Sequence, residues 1–91
     1  MANDAASKSY TYRKWVGTSL VYLLSEGRAR EFIVIQNEGT DLFVKLGRDV
    51  SLGDYSYRIP PNGVLEVHDW SGPVTGIRSS SPAFAMCTET V

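Results

Sequence analysis

The fold is decided by the segment REFIVIQNEGTDLFVKL, which spans residues 30–46. Four consecutive apolar residues, Phe32 to Ile35, are typical of a strand that is central in its sheet and covered on both faces. Residues 37–40 have turn chemistry, because Asn and Gly tolerate the positive φ that closes a hairpin. We therefore predict a central strand over Arg30–Gln36 that forms a hairpin with a strand over Asp41–Leu46.

Short apolar runs and turn signals alternate along the rest of the chain. Ser19–Leu24 is too short for a stable helix and is predicted to be a strand, with a helical turn as the alternative. Residues 47–57 mix Gly, Asp and Ser with scattered apolar residues, which indicates a long irregular connection. Turns are predicted at residues 60–63, 70–73 and 80–82, and strands at Val64–Asp69, Val74–Ser79 and Ala83–Thr90.

The turn signals recur every 8 to 12 residues or so, with no amphipathic pattern of helical length between them. This spacing predicts an all-β fold, a small antiparallel β-sandwich or barrel. The chain of 91 residues is long enough for one domain. We predict that residues 17–91 form it and that residues 1–16 form a flexible, extended N-terminal arm, although Tyr10–Val16 carries residue types that suit a pleated surface.

Composition restricts the class of partner. The formal net charge of -1 is too small to recruit nucleic acid or a lipid surface, so neither is predicted as a partner. The charge is uneven, since residues 1–30 carry five cations and two carboxylates, and residues 31–91 carry four and eight. A domain of this size buries only roughly 60 to 65% of the surface that its unfolded chain exposes, which favours docking on another protein or self-association as a dimer or trimer.

Cysteine content and hydropathy indicate where the chain is made. A single cysteine, Cys87, excludes an intrachain disulfide and a cysteine-based zinc site, which fits a reducing compartment. The N-terminus lacks the apolar core of a signal peptide, and no stretch approaches the ~20 apolar residues that span a bilayer. We therefore predict synthesis and assembly in a cytoplasm.

Few residues could carry catalytic or metal chemistry. His68 has no second base or nucleophile near it in the sequence, and Cys87 lies in an apolar strand. Asp41, Asp49 and Asp54 could offer oxygen ligands, but their spacing does not match a calcium loop. The glycines form no phosphate-binding motif. We predict that the protein is not an enzyme and has no catalytic residue, cofactor or metal site.

The aromatic residues are the strongest candidates for binding. Five Tyr and two Trp have an apolar body and a polar tip, which protein interfaces and sugar-binding faces both favour. Ordinary packing, protein contact and glycan contact all remain open for them. Because arms and loops carry binding more often than central strands do, we predict protein-interface residues in the entry segment and in the long connection. They are Tyr12, Arg13, Lys14, Trp15, Tyr55 and Tyr57.

The strand and turn markers of the chain follow a recognisable order. An arginine-led strand ends in Gln36-Asn37 and is followed by Gly39 and by Leu42-Phe43-Val44. Further along come Pro61-Asn62-Gly63 and Trp70-Ser71-Gly72-Pro73-Val74, before a serine-rich turn. This order resembles that of small β-rich virion proteins of tailed phages, and the resemblance covers residues 18–91.

The resemblance implies a structural role in a virus particle. The protein would decorate the capsid as a cement protein, with the major capsid protein or other virion proteins as partners. The alternative is a tail-associated or fibre module that binds host-surface glycan through Tyr55, Tyr57 or Trp70. The position on the particle, the oligomer number and the order of the strands stay open.

Overall fold

The computed structural model describes residues 8–26 and 29–91, in which the chain forms strands and turns but no helix. This confirms the predicted all-β class. No helix in these two ranges is long and apolar enough to cross a lipid bilayer. The eight strands of the described residues are β1 Ser9–Val16, β2 Val21–Leu24, β3 Phe32–Asn37, β4 Leu42–Leu46, β5 Tyr57–Ile59, β6 Val64–His68, β7 Val74–Arg78 and β8 Ala83–Thr90.

The strands form a sandwich of two four-stranded antiparallel sheets. Sheet A has the order β1-β8-β3-β6, and sheet B has the order β2-β7-β4-β5. The pairs β1–β8, β2–β7, β3–β6 and β4–β5 are those of one long antiparallel hairpin that has been rolled over on itself. This arrangement is the jelly roll, in which most consecutive strands lie in opposite sheets.

The predicted hairpin between the third and fourth strands is therefore wrong. β3 pairs with β6 and β8 in sheet A, whereas β4 pairs with β5 and β7 in sheet B. The turn at residues 37–40 carries the chain from one sheet to the other. The side chain of Asn37 holds it there, because its Nδ2 donates to the carbonyls of Thr40 and Ile59 at 2.7 and 2.9 Å, and its Oδ1 accepts from the amide of Gly39 at 3.0 Å.

β3 has the central place in its sheet that the sequence predicts, but it is not buried on both faces as the sequence also predicts. β3 is an inner strand of sheet A, as its apolar run predicts. Ile33 and Ile35 are fully buried against sheet B, but Phe32 and Val34 on the opposite face are only half-buried. The strand is thus covered fully on one face.

The predicted arm of residues 1–16 is not confirmed. Ser9–Val16 form β1, which pairs with β8 along its whole length. Aromatic and β-branched side chains favour this extended, half-buried conformation, and the backbone gains ladder hydrogen bonds by joining a sheet. Residues 1–7 lie outside the described residues.

The interior between the sheets is apolar. Every strand contributes side chains that point inward, and most of these side chains are fully buried. Val67 of edge strand β6 retains 7% exposure. Tyr12, Leu46, Leu65 and Trp70 are partly buried against this cluster. Cys87 lies within it. The cluster comprises Val16, Leu23, Leu24, Ile33, Ile35, Leu42, Val44, Ile59, Val67, Val74, Ala85 and Cys87.

Two buried arginines close the two ends of the sandwich. Arg30 lies just before β3 and forms an ion pair with Glu89 of β8, with 2.6 Å between Nε and Oε1. Arg78 ends β7 and donates from Nε to the carbonyl of Val16 at 3.0 Å and from Nη1 to Oδ1 of Asn37 at 2.8 Å. Both side chains therefore link segments that are distant in sequence.

Candidate interaction surface

The six predicted interface residues occupy two separate places. Tyr12, Arg13, Lys14 and Trp15 lie on β1, an edge strand that adjoins β2 at one side of the sandwich. Tyr55 precedes β5, and Tyr57 begins it, at the opposite side where β5 and β6 form the edges. The structure does not join these residues into a single surface. The four residues of β1 also divide between the two faces of sheet A, because side chains alternate along a strand.

The outer face of sheet A, the one turned away from sheet B, carries apolar side chains with polar side chains between them. Trp15 is the most exposed of its aromatic residues at 55%, and its ring meets that of Phe84 edge-on with 4.7 Å between centroids. The guanidinium of Arg13 lies 3.7 Å from the centre of the Phe84 ring, a cation–π arrangement. The apolar residues of this outer face are Trp15, Phe32, Val34, Val64, Phe84 and Met86.

The outer face of sheet B differs because residues 47–56 fold over it. Thr75 lies on this face yet is fully buried, and its Oγ1 donates to the carbonyl of Gly47 at 2.9 Å. The ring of Tyr55 packs edge-on against Phe43 with centroids 4.9 Å apart. The chain's own connection thus covers sheet B, while no described segment covers sheet A in the same way.

The outer edge of β1 is a second feature of this side of the molecule. Lys8 and Val91 exchange both backbone hydrogen bonds, at 3.0 and 2.9 Å. Because antiparallel pairing alternates, the even-numbered residues of β1 bond to β8 and the odd-numbered ones direct their amide and carbonyl groups away from it. Within residues 8–26 and 29–91 these outward groups have no hydrogen-bond partner. They belong to Ser9, Thr11, Arg13 and Trp15.

Two clefts flank β1. The smaller, of about 160 Å³, opens between β1 and β2 and is lined by Tyr12, Lys14, Tyr22, Leu23, Leu24, Ser25 and Glu89. The larger is an open groove of about 580 Å³ beside Trp15, where residues 17–19 meet residues 80–82. Trp15 therefore adjoins both this groove and the outer face of sheet A. Exposed apolar side chains thus border both clefts, Tyr22 the smaller one and Trp15 the larger.

The candidates for catalysis lie in environments that do not favour it. Cys87 is fully buried, and this burial raises the pKa of its thiol to about 12, so the nucleophilic thiolate is disfavoured. His68 is exposed on the outer face of sheet A, and its Nε2 is 3.8 Å from the Glu66 carboxylate. No group of three or more metal-ligating side chains occurs in the described part of the chain.

The loop carboxylates are mostly engaged in ion pairs. Asp54 accepts from Nζ of Lys45 at 2.6 Å, and Asp41 accepts from Nε of Arg58 at 2.9 Å. Asp41 and Asp54 each face their own cation, and within the described residues they form no metal-ligating group with Asp49. The oxygens that the sequence offered for calcium are therefore dispersed.

The aromatic residues of the glycan alternative are only partly available. Trp70 packs against the core, and its indole N–H donates to the carbonyl of Pro73 at 3.0 Å. Tyr55 and Tyr57 are 42% and 40% exposed, with the Tyr55 ring already in contact with Phe43. Of the three, Tyr57 is the one with no ring–ring contact or side-chain hydrogen bond to another described residue.

Sequence reasoning identified Trp15 and Arg13 but missed the residues that complete their surface. Phe84 and Met86 alternate in β8 with the buried Ala85 and Cys87, and this period of two was the available signal. The apolar run of β3 concealed the outward direction of Phe32 and Val34, since such a run suggests burial on both faces.

Comparisons of the chain with protein-family models, with curated proteins and with solved structures returned no match.

Proposed function

We propose that the protein is a non-enzymatic virion structural protein that binds and stabilises an assembled capsid shell, as a decoration or cement protein. The observation that carries the proposal is the uncovered outer face of sheet A around Trp15. An exposed Trp on a sheet face that no described segment covers favours protein contact. The virion context comes from the sequence resemblance of residues 18–91.

The fold is compatible with this role but does not select it. Jelly rolls occur in viral capsid domains and in lectins, so function has to be argued from the surface. An exposed Trp flanked by Phe and Arg is the composition of an energetic centre in a protein interface. The partner would be the major capsid protein or another virion protein.

The mechanism would be mass action. A protein that binds the assembled lattice and not its free subunits stabilises the lattice at each occupied site, and equivalent sites add. Self-association as a dimer or trimer remains a prediction, and sedimentation analysis of the purified protein measures it directly.

The test is the incorporation of variants into particles. Trp15→Ala removes the central aromatic ring, and Tyr57→Ala is the matched control because it removes an exposed aromatic ring from the opposite side. We expect Trp15→Ala to weaken shell binding about 30-fold, as for a loss of ~2 kcal/mol, and Tyr57→Ala to leave it unchanged. Quantitative mass spectrometry gives the number of copies, and cryo-electron microscopy gives their place.

Three outcomes would contradict decoration. Particles that contain none of the chain would remove the proposal, as would equal incorporation of both variants. A few copies at one vertex, with glycan binding lost in Tyr57→Ala, would instead support the tail or fibre alternative.

A further inference from the structure

β1 has the properties of a strand that accepts another strand at its edge. It is eight residues long, whereas the other edge strands β2, β5 and β6 have four, three and five residues. Its outward backbone groups at Ser9, Thr11, Arg13 and Trp15 have no partner in the described ranges. Proteins usually shorten or cover such edges, because a free edge is a template for pairing.

The charge of β1 indicates which kind of strand fits. Residues 8–16 include Lys8, Arg13 and Lys14 and no carboxylate. None of these three cations takes part in an ion pair among the residues that the structure describes. A second copy of β1 would bring like charges together, which disfavours it as the occupant. An acidic segment would be attracted to the same edge.

The cleft between β1 and β2 indicates where side chains of that segment would lie. A strand added to sheet A would run about 4.8 Å beyond β1, and every second side chain would point toward sheet B. That position is above the cleft of about 160 Å³, whose walls include Lys14, Tyr22 and Leu23. An apolar side chain would contact the leucines, and a carboxylate two residues further along the segment, on the same face, would reach Lys14.

We propose that β1 binds an extended acidic segment of a partner protein, which joins sheet A as a further strand. This inference rests on the proposed function, since it names the kind of segment by which a virion protein would engage the chain. Main-chain hydrogen bonds would supply affinity, and the basic edge with its cleft would supply specificity. The interaction requires no change in the fold of the described residues.

A synthetic peptide tests the proposal without a particle. The probe is a blocked peptide of about eight residues in which Val and Glu alternate along one face and Thr occupies the other face, and its control replaces every Glu with Lys. We expect the Glu peptide to protect the amide protons of Thr11, Arg13 and Trp15 from exchange, as measured by NMR on isotope-labelled protein. The amides at the outer edge of β6 should not change, and the Lys peptide should not bind.

A pair of variants at one position isolates the hydrogen bonds. Thr11→Pro removes an outward amide without touching the ladder to β8, a place where an edge strand tolerates proline. We expect its affinity for the Glu peptide to fall about tenfold, while Thr11→Val, which keeps the amide, binds as the unaltered protein does. Thermal unfolding of both variants checks that the fold is intact.

A charge reversal isolates the electrostatic part. Lys14→Glu should lose the Glu peptide and gain the Lys peptide, because the sign of the edge changes beside the cleft. Equal affinity of the unaltered protein for both peptides would overturn the proposal. Protection of the same amides by raised protein concentration alone would overturn it too, since the occupant would then be a second copy.

Particle incorporation separates this inference from the proposed function. If Thr11→Pro enters shells as well as Thr11→Val does, the strand-addition proposal fails while decoration stands. If the peptide binds as expected but particles contain none of the chain, the strand proposal stands and the decoration proposal fails.

Discussion

The two buried arginines compensate their charge in different ways. Arg30 faces a carboxylate, that of Glu89, whose Oε2 also accepts from the hydroxyl of Tyr12 at 2.9 Å. Arg78 is fully buried and meets only neutral oxygens, with no carboxylate within ion-pair distance in the described part of the chain. Burial lowers the pKa of Arg78 from its usual value, but guanidinium groups remain protonated in proteins.

The difference follows from what each end of the sandwich must satisfy. At the Arg78 end the chain passes between sheets at residues 17–20, 37–41 and 79–82. Carbonyl groups in these turns therefore lack the hydrogen bonds between strands that a sheet provides. Buried carbonyls need donors, and a guanidinium offers five in a fixed plane. Arg78 thus acts as a donor for the turns, whereas Arg30 is half of an ion pair that also donates to the carbonyl of Gly72 at 2.7 Å.

The largest effect should come from Arg78→Met. The substitution removes every N–H donor of the guanidinium at once. Five oxygen atoms then lose the hydrogen bonds that Arg78 donates, namely the carbonyls of Val16, Thr40, Ala83 and Phe84 and the amide oxygen of Asn37. We expect a loss of roughly 3–5 kcal/mol in the free energy of unfolding, measured by urea titration.

Two further variants keep this prediction testable. Arg78→Lys retains the charge but not the planar fork, and we expect it to fold with an intermediate loss. Arg48→Met changes an exposed arginine on sheet B's side and should cost little, since water screens ion pairs at the surface. A loss under ~1 kcal/mol for Arg78→Met would mean that its oxygens find water or other donors.

The Arg30 end should respond differently to paired changes. Glu89→Leu alone leaves a buried cation, and Arg30→Met alone leaves a buried carboxylate, so we expect each to cost about 3 kcal/mol. The double variant should cost clearly less than the two together, with a coupling of about 2 kcal/mol. Urea titration of all four proteins completes the cycle. Additive losses would indicate that the carbonyl contacts of Arg30, and not its ion pair, stabilise this end.

Gly39 tests how tightly the turn at the Arg78 end is packed. A Cβ atom at this position would lie 2.3 Å from the Cβ of Ala83, a distance at which one backbone has to move. We expect Gly39→Ala to lower the free energy of unfolding by about 2 kcal/mol. Gly53→Ala is the matched control, because beyond the adjacent residues no heavy atom lies within 4 Å of its added carbon. Equal effects of the two substitutions would show that the turn relaxes freely.

The sequence predicts the class of this fold better than its connections. The period of two in β8 and the apolar run of β3 identify strands, because burial of side chains dictates those patterns. The pairing of β3 is determined by contacts across the whole chain, including Asn37 with Ile59 and Arg78 with Val16. An Asn-x-Gly turn closes hairpins and sheet crossings alike, so local chemistry could not distinguish them.

In the candidate surface, too, single residues could be predicted from the sequence but their contacts could not. Trp15 and Arg13 could be singled out as amphipathic groups in a basic segment, but their partner Phe84 lies 69 residues beyond Trp15 in the sequence. Only the register of β1 with β8 brings them together. The two buried arginines were also missed, because charged residues in a sequence predict exposed surface unless their partners are known.

Cys87 lies between the two arginine ends and tests the apolar middle of the sandwich. Because burial raises the pKa of its thiol from 9.0 to about 12, the folded protein retains the proton over a range in which the unfolded chain releases it. Its contribution to stability is therefore full below about pH 9 and is lost as the pH rises toward 12. At pH 10 we expect a loss of about 1 kcal/mol, measured by urea titration relative to pH 8. Cys87→Ala removes the thiol, so its stability should fall less over the same interval by that amount, whatever the tyrosines and lysines contribute. An identical pH dependence of the two proteins would show that the thiolate is tolerated in the folded state, and that water reaches the interior between the two arginine ends.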